Sequence, residues 1–339
     1  MAILTTRGQL VSSTGEIVGH KSGLALTRDR VASMLDDSDY SSVWNGPDEI
    51  MLRIRSEEYE ELIAIVLHGV GNIPEPCVTP FGIKMHHKYK SNPELYEVYC
   101  YTLSQFPDFI KDSVDLAQEM GTKTLDPTPF VERVGLKHGI TGKIMALELL
   151  KDLVACQHRN PWDTFRRIEW NDVAELQDLF TSESLETAYG TFFDQRFVDY
   201  LASNFDDISR IHWRKFEAMT CEFFEREGFR VEIGPGRNDD GIDARIWPNR
   251  QTEGMPPTMI VQCKRQRDKI DKVVVKALWA DVISEGAQSG LIVTTSALSP
   301  GAQRVCSARG YNISEANRDT LRQWLEALRT PQTGIITSF

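Results

Sequence analysis

NDDGIDARIW at residues 238–247 and TMIVQCKRQRDK at residues 258–269 decide how the C-terminal part of this chain folds. Each reads as a short strand flanked by charged or turn-forming residues. Gly254, Pro256 and Pro257 between them mark the turn of a hairpin. Alternate residues of a strand share a face, so Gln262 and Lys264 project together while Val261 and Cys263 point the other way. Lys264 is then a charge on a strand that otherwise reads as interior, a costly placement unless an anion lies near it. With the turn centred between Glu253 and Gly254, antiparallel pairing puts Asp243 opposite Lys264. A carboxylate, an amide and an ammonium then meet at one end of the hairpin, beside the polar loop GPGRNDDG.

Working outward, WRKFEAMTCEFFEREGF precedes the hairpin and sets Phe216, Met219, Phe223 and Phe224 on one helical stripe that stops at Gly228. It also supplies Glu217, an acid able to complete a divalent metal site. FRVEIG reads as a strand between this helix and the hairpin. After the hairpin come a helix over about 271–285, the apolar strand SGLIVTTS, SPGAQRVCSARG, a short strand YNIS and a last helix over about 317–328. The order αβββαβαβα calls for a mixed sheet with helices on both faces, an α/β domain.

The segments FEAMTCEFFEREGF, NDDGID, IVQCKR and GLIVTTSALSPGA, in that order and with compatible spacing, resemble the catalytic domain of Mrr-type restriction endonucleases, a branch of the PD-(D/E)xK nuclease superfamily. The resemblance runs over roughly residues 211–329 and implies a restriction-endonuclease-like fold with a central mixed sheet. It places Asp243 on the metal-binding aspartate, Gln262 on the second acidic position, Lys264 on the motif lysine and Glu217 on the supporting helix glutamate. The main-chain carbonyl of Cys263 would be a further oxygen ligand. Glutamine at 262 departs from the superfamily's Asp or Glu, although the Mrr-like branch uses QxK. With one anionic ligand fewer, Glu217 gains weight. Oxygen ligands of this kind suit Mg2+ or Mn2+. The implied activity is hydrolysis of DNA phosphodiester bonds by an endonuclease of restriction or antiphage-defence type.

Charge separates the chain into two parts. The whole chain of 339 residues carries a formal net charge of -11, but residues 1–210 hold 20 basic against 33 acidic residues and residues 211–339 hold 18 against 16. Only the second part is suited to approach a polyanion. Lys264, Arg265, Arg267 and Lys269 open a basic run toward Lys276 that suits a phosphate backbone, and Arg237 and Arg245 are weaker candidates. Asp239 and Asp240 read as loop acids, one of them near enough in sequence to touch a second metal or its water. Thr294, Thr295 and Ser296 read as a polar strand end.

Residues 1–205 read as a mainly helical acidic domain, followed by the nuclease domain over 206–339. SEEYEELIAIVLHG at residues 56–69 is a capped helix, PELYEVYCYTLSQF and PDFIKDSVDLAQEMG read as two helices, and a helical segment over about 128–156 is interrupted between Gly139 and Gly142. NDVAELQDLF and the stretch from Ser182 to Phe205 are also read as helical. Such an acidic unit suits partner binding, oligomerisation or autoinhibition better than a nonspecific grip on DNA, whose phosphates it would repel. Duplex DNA is the expected substrate, with a homo-oligomer or an accessory protein as the further partner.

Composition narrows the rest. The six cysteines are widely spaced with no CxxC pair, which speaks for reduced thiols. No apolar run is long enough to span a bilayer and the N-terminus lacks a secretory signal, so a soluble cytoplasmic protein is expected. All seven histidines lie at or before His212, leaving none for a histidine-metal site in the C-terminal domain, and adjacent His86 and His87 are a poor metal pair. Neither a GxxxxGK[ST] loop nor a GxSxG elbow occurs.

Overall fold

The computed structural model describes residues 2–73, 75–76, 81–121, 124–162, 168–236, 241–248, 254–329 and 335–336. The chain divides into two units, Met1–Val173 with Pro331–Phe339, and Ala174–Thr330. The sequence boundary at 205/206 falls inside the second unit, because the helix Gln195–Ser203 packs there: Gln195 Nε2 donates to the Leu328 carbonyl at 3.3 Å.

The first unit is helix-rich. Helix Pro93–Met120 runs unbroken through Pro107, where two helices were expected. Phe109 stacks on Phe130 at 5.0 Å between ring centroids, in a core shared with Phe106, Met145 and Leu149. That packing outweighs the hydrogen bond Pro107 cannot make. The segment Thr128–Arg159 is indeed two helical pieces meeting at Gly139, whose φ of 61° and ψ of -145° are not helical. A helix over Arg7–Ser22 and antiparallel strands Ala2–Thr6 and Met51–Arg55 add structure that the sequence did not announce. His86 and His87 lie on the helix Phe81–Tyr89, with His86 Nδ1 near Tyr96 Oη at 3.2 Å.

The second unit carries the mixed sheet. Its elements are α1 (Gln195–Ser203), α2 (Trp213–Arg226), β1 (Arg230–Ile233), β2 (Ala244–Trp247), β3 (Met259–Lys264), α3 (Lys272–Ser284), β4 (Ser289–Thr294), α4 (Pro300–Arg309), β5 (Ile313–Ala316) and α5 (Arg318–Leu328). From α2 onward the order is the expected αβββαβαβα. The sheet order is β5-β4-β3-β2-β1, with β5-β4 and β4-β3 parallel and β3-β2 and β2-β1 antiparallel. Ile260 and Ile292 pack on Val275, Leu278 and Ala302 of α3 and α4. On the other side Phe216 and Met219 of α2 are buried, and Phe223 stacks on Trp324 of α5 at 4.3 Å.

The stretch 182–194, expected as helix, is largely non-helical. Glu222 Oε2 accepts the N–H groups of Thr191, Phe192 and Phe193 at 2.9, 2.7 and 3.2 Å, tying this strap to α2. Those donors satisfy a buried carboxylate instead of a helix ladder.

Candidate metal centre and its hairpin

The hairpin forms, but its register differs from the expected one by two residues: Ala244 pairs with Val261 and Arg245 with Ile260, so Asp243 is not the partner of Lys264. A two-residue slip keeps every side chain on its own face, so the apolar pattern of the strands fits both registers equally. Residues 249–253, between β2 and β3, lie outside those described, as do Arg237, Asp239 and Asp240.

Asp243 stands just before β2. Its N–H donates to the Val261 carbonyl at 2.9 Å although Ala244 is the register partner of Val261, the two-against-one count of a β-bulge. The offset turns its carboxylate across the hairpin, where Oδ2 accepts the Cys263 N–H at 2.5 Å. Asp243 and Lys264 are therefore gathered at the same end of β3, with the carboxylate held one residue short of the lysine. The N–H and C=O of a strand residue project to the same edge, so the Cys263 carbonyl also faces the Asp243 side.

Gln262 is 6 % exposed. Its Nε2 donates to the Gly241 carbonyl at 3.0 Å, while Oε1 is buried with no hydrogen-bond partner among the described residues. Gly241 has a φ of +86°, and a Cβ there would lie 2.9 Å from Gln262 Nε2, so the glycine both permits the turn and leaves room for the amide. A buried oxygen without a partner is costly, and strain, water or an ion accounts for such groups in folded proteins.

Glu217 projects from α2 and is also buried. Its Oε2 accepts from Arg214 Nη1 at 2.8 Å. Glu217 and Asp243 act on the same two thiols. Burial raises Cys221 and Cys263 above the ordinary thiol range, and both carboxylates push them further in that direction. Cys263 Sγ itself sits 3.7 Å from Thr220 Oγ1 of α2, so the thiol serves packing and only its backbone faces the site. Among the described residues no three His, Cys, Asp or Glu side chains gather as a metal cluster. The candidate donors are of mixed kind: a carboxylate fixed on the hairpin, an amide oxygen without a partner among the described residues, a carbonyl and a helix carboxylate held by arginine. These oxygen donors fit a hard divalent cation.

The basic candidates divide. Lys264 is partly exposed, and Arg265, Arg267 and Lys269 are exposed beyond it. Arg265 Nη1 donates to the Ser209 carbonyl at 2.9 Å. Arg245 is bound by Glu285 through two bonds of 2.8 and 2.7 Å, which removes it from the phosphate candidates. Thr294, Thr295 and Ser296 bond the carbonyls of Lys264, Gln266 and Arg267, fixing the exit of β3 as a polar strand end.

Residues 208–325 match the Mrr_cat family model, described as restriction endonuclease. The Mrr-like segment thus covers α2 to most of α5 and contains Glu217, Asp243, Gln262 and Lys264. The match supports a nuclease of the restriction endonuclease family. No curated protein and no solved structure matches the chain. No helix among the described residues is long and apolar enough to cross a membrane. Sequence reasoning gave no role to Arg214, three residues before Glu217; the i,i+3 spacing of an Arg and a Glu on one helix was the available signal.

Proposed function

We propose that the chain is a divalent-metal-dependent endodeoxyribonuclease of restriction or antiphage-defence type that hydrolyses phosphodiester bonds of duplex DNA. The observation that carries this reading is the buried Oε1 of Gln262, which has no hydrogen-bond partner among the described residues, next in sequence to the Cys263 N–H that pins the Asp243 carboxylate. Asp243, Gln262 Oε1, the Cys263 carbonyl and Glu217 would hold Mg2+ or Mn2+. When bound, such a cation polarises the scissile phosphate and eases deprotonation of water.

The chain's own residues have separate tasks. Asp243, gripped by the backbone of β3, fixes an anionic oxygen with little freedom to swing. Gln262 contributes an oxygen without adding charge. Lys264 orients the attacking water and offsets charge developing on the phosphate in the transition state. Arg265, Arg267 and Lys269 meet the DNA backbone next to the site, with Arg237, outside the described residues, as a further candidate from the sequence. The acidic helical unit provides partner binding or self-association.

The test is incubation of the purified protein with supercoiled, linear and single-stranded DNA, with Mg2+, Mn2+ or chelator, read on a gel. Metal-dependent cutting of duplex DNA is expected. DNA retention without cleavage under any divalent ion would instead identify a binding protein that keeps only the nuclease fold, the reading that the neutral Gln262 favours. Cleavage appearing only on addition of a partner or signal molecule would identify a triggered effector.

A further inference from the structure

Resting on that metal-dependent reading, we propose that Arg214 is the positioning residue that fixes the helix carboxylate Glu217 relative to the catalytic hairpin. Its guanidinium joins two elements: Nη1 donates to Glu217 Oε2 at 2.8 Å, and Nη2 donates to the Gly234 carbonyl at 2.7 Å. Gly234 in turn donates its N–H to the Asp243 carbonyl at 2.8 Å, and Asp243 Oδ2 accepts from Cys263 at 2.5 Å. One hydrogen-bonded path therefore runs from Glu217 through Arg214, Gly234 and Asp243 to the backbone of β3. Arg214 ties α2 into it through both of its bonds.

The surroundings are shaped for a guanidinium. The Arg214 and Glu217 side chains are 11 % and 7 % exposed, so their bond is shielded from water. Gly236 has a φ of +89°, and a Cβ there would lie 3.0 Å from Arg214 Cζ and Nη1, so the loop is moulded around the arginine. A planar fork reaches two partners on different elements at once. A lysine ammonium keeps the charge but lacks that geometry. Holding Oε2 restrains the broad terminal torsion of Glu217, so its carboxylate keeps one direction. With a neutral amide at 262, the site depends more on the aim of its remaining carboxylates. Partners that orient ligands in this way commonly govern metal affinity by 10- to 100-fold.

The experiment is a calorimetric titration of Mn2+ into the full-length protein without DNA, alongside thermal melting. Arg214→Lys is expected to weaken Mn2+ binding about tenfold with a cooperative melt retained, and Arg214→Met to weaken it further, toward about 100-fold. Because Arg214→Met leaves Glu217 buried without its cation and can fail to fold, Gly236→Ala provides an independent route: it displaces the guanidinium while keeping it, and is also expected to weaken Mn2+. In a Glu217→Gln background, Arg214→Lys should change Mn2+ affinity by less than about twofold, since its effect passes through Glu217. Wild-type affinity in both Arg214→Lys and Gly236→Ala, or an undiminished effect of Arg214→Lys in the Glu217→Gln background, overturns the inference while leaving the metal site standing. Absence of Mn2+ binding by the wild type overturns both.

Discussion

Replacing Gln262 by methionine separates folding from function, because the two halves of its amide do opposite things. The change keeps length and approximate volume. It removes the 3.0 Å bond from Nε2 to the Gly241 carbonyl, a net loss of about 1 kcal/mol. It also removes a buried oxygen with no partner among the described residues, relieving about 1–3 kcal/mol. The balance runs from neutral to about 2 kcal/mol of added stability, which for a unit of this size raises Tm by up to roughly 4–8 °C. Divalent cations reverse the ranking. The wild type gains about 2.7 kcal/mol at a hundredfold excess over its Kd, whereas Gln262→Met has lost an oxygen ligand and gains much less. Scanning calorimetry in chelator and in excess Mg2+, with plasmid cleavage run in parallel, measures all three quantities. Destabilisation in chelator by more than about 1 kcal/mol, the net value of the lost bond, would show that Oε1 is not held at a cost. An undiminished Mg2+ shift in the variant would show that it is not a ligand.

Two further outcomes follow from charges elsewhere in the same unit. The Glu285 carboxyl is lowered by its hydrogen bonds to Arg245, so its contribution is fully present above the ordinary glutamate range, near pH 4.5, and is lost as pH falls through the depressed value. Arg245→Met should therefore lower Tm above that range by an amount equivalent to about 0.5 kcal/mol after solvent screening, and leave little difference below it, as a pH series of melts would record. Glu222→Ala removes the anionic partner of Arg226, which keeps its bonds to Gln195 and Leu328, and strands three N–H groups of the 191–193 strap, and should cost about 3 kcal/mol in urea unfolding. A loss under about 1 kcal/mol would mean that water replaces the carboxylate without difficulty.

The C-terminal elements were legible because their apolar runs alternate cleanly with glycine, proline and capping residues. Val261 and Ile292 could only be interior, and Gly228 and Gly310 stop their helices. Register was not legible, because a two-residue slip preserves both faces and the bulge at Asp243 has no sequence mark. The helix Arg7–Ser22 was not legible because its buried stripe, Arg7, Leu10, Thr14, Val18 and Lys21, mixes polar with apolar residues, and Arg7 finds its partners far along the chain, its Nε donating to the Val43 carbonyl at 2.9 Å. Pro107 and the 182–194 strap were misread for the same kind of reason: an aromatic core in one case and the Glu222 carboxylate in the other overrule local propensity. Within the candidate site, residue types were readable and partners were not. Asp243, Gln262 and Glu217 stood out as chemistry, but the arginine holding Glu217 became visible only in three dimensions.

Phosphodiester cleavage of supercoiled plasmid by wild type, Asp243→Asn and Lys264→Ala, with and without Mg2+, tests the central claim most directly. Nicking by the wild type that stops in chelator, and that falls at least about 100-fold in both variants while their melts stay cooperative, is the predicted result. Wild-type rates in Lys264→Ala, or cutting that persists in chelator, would contradict it.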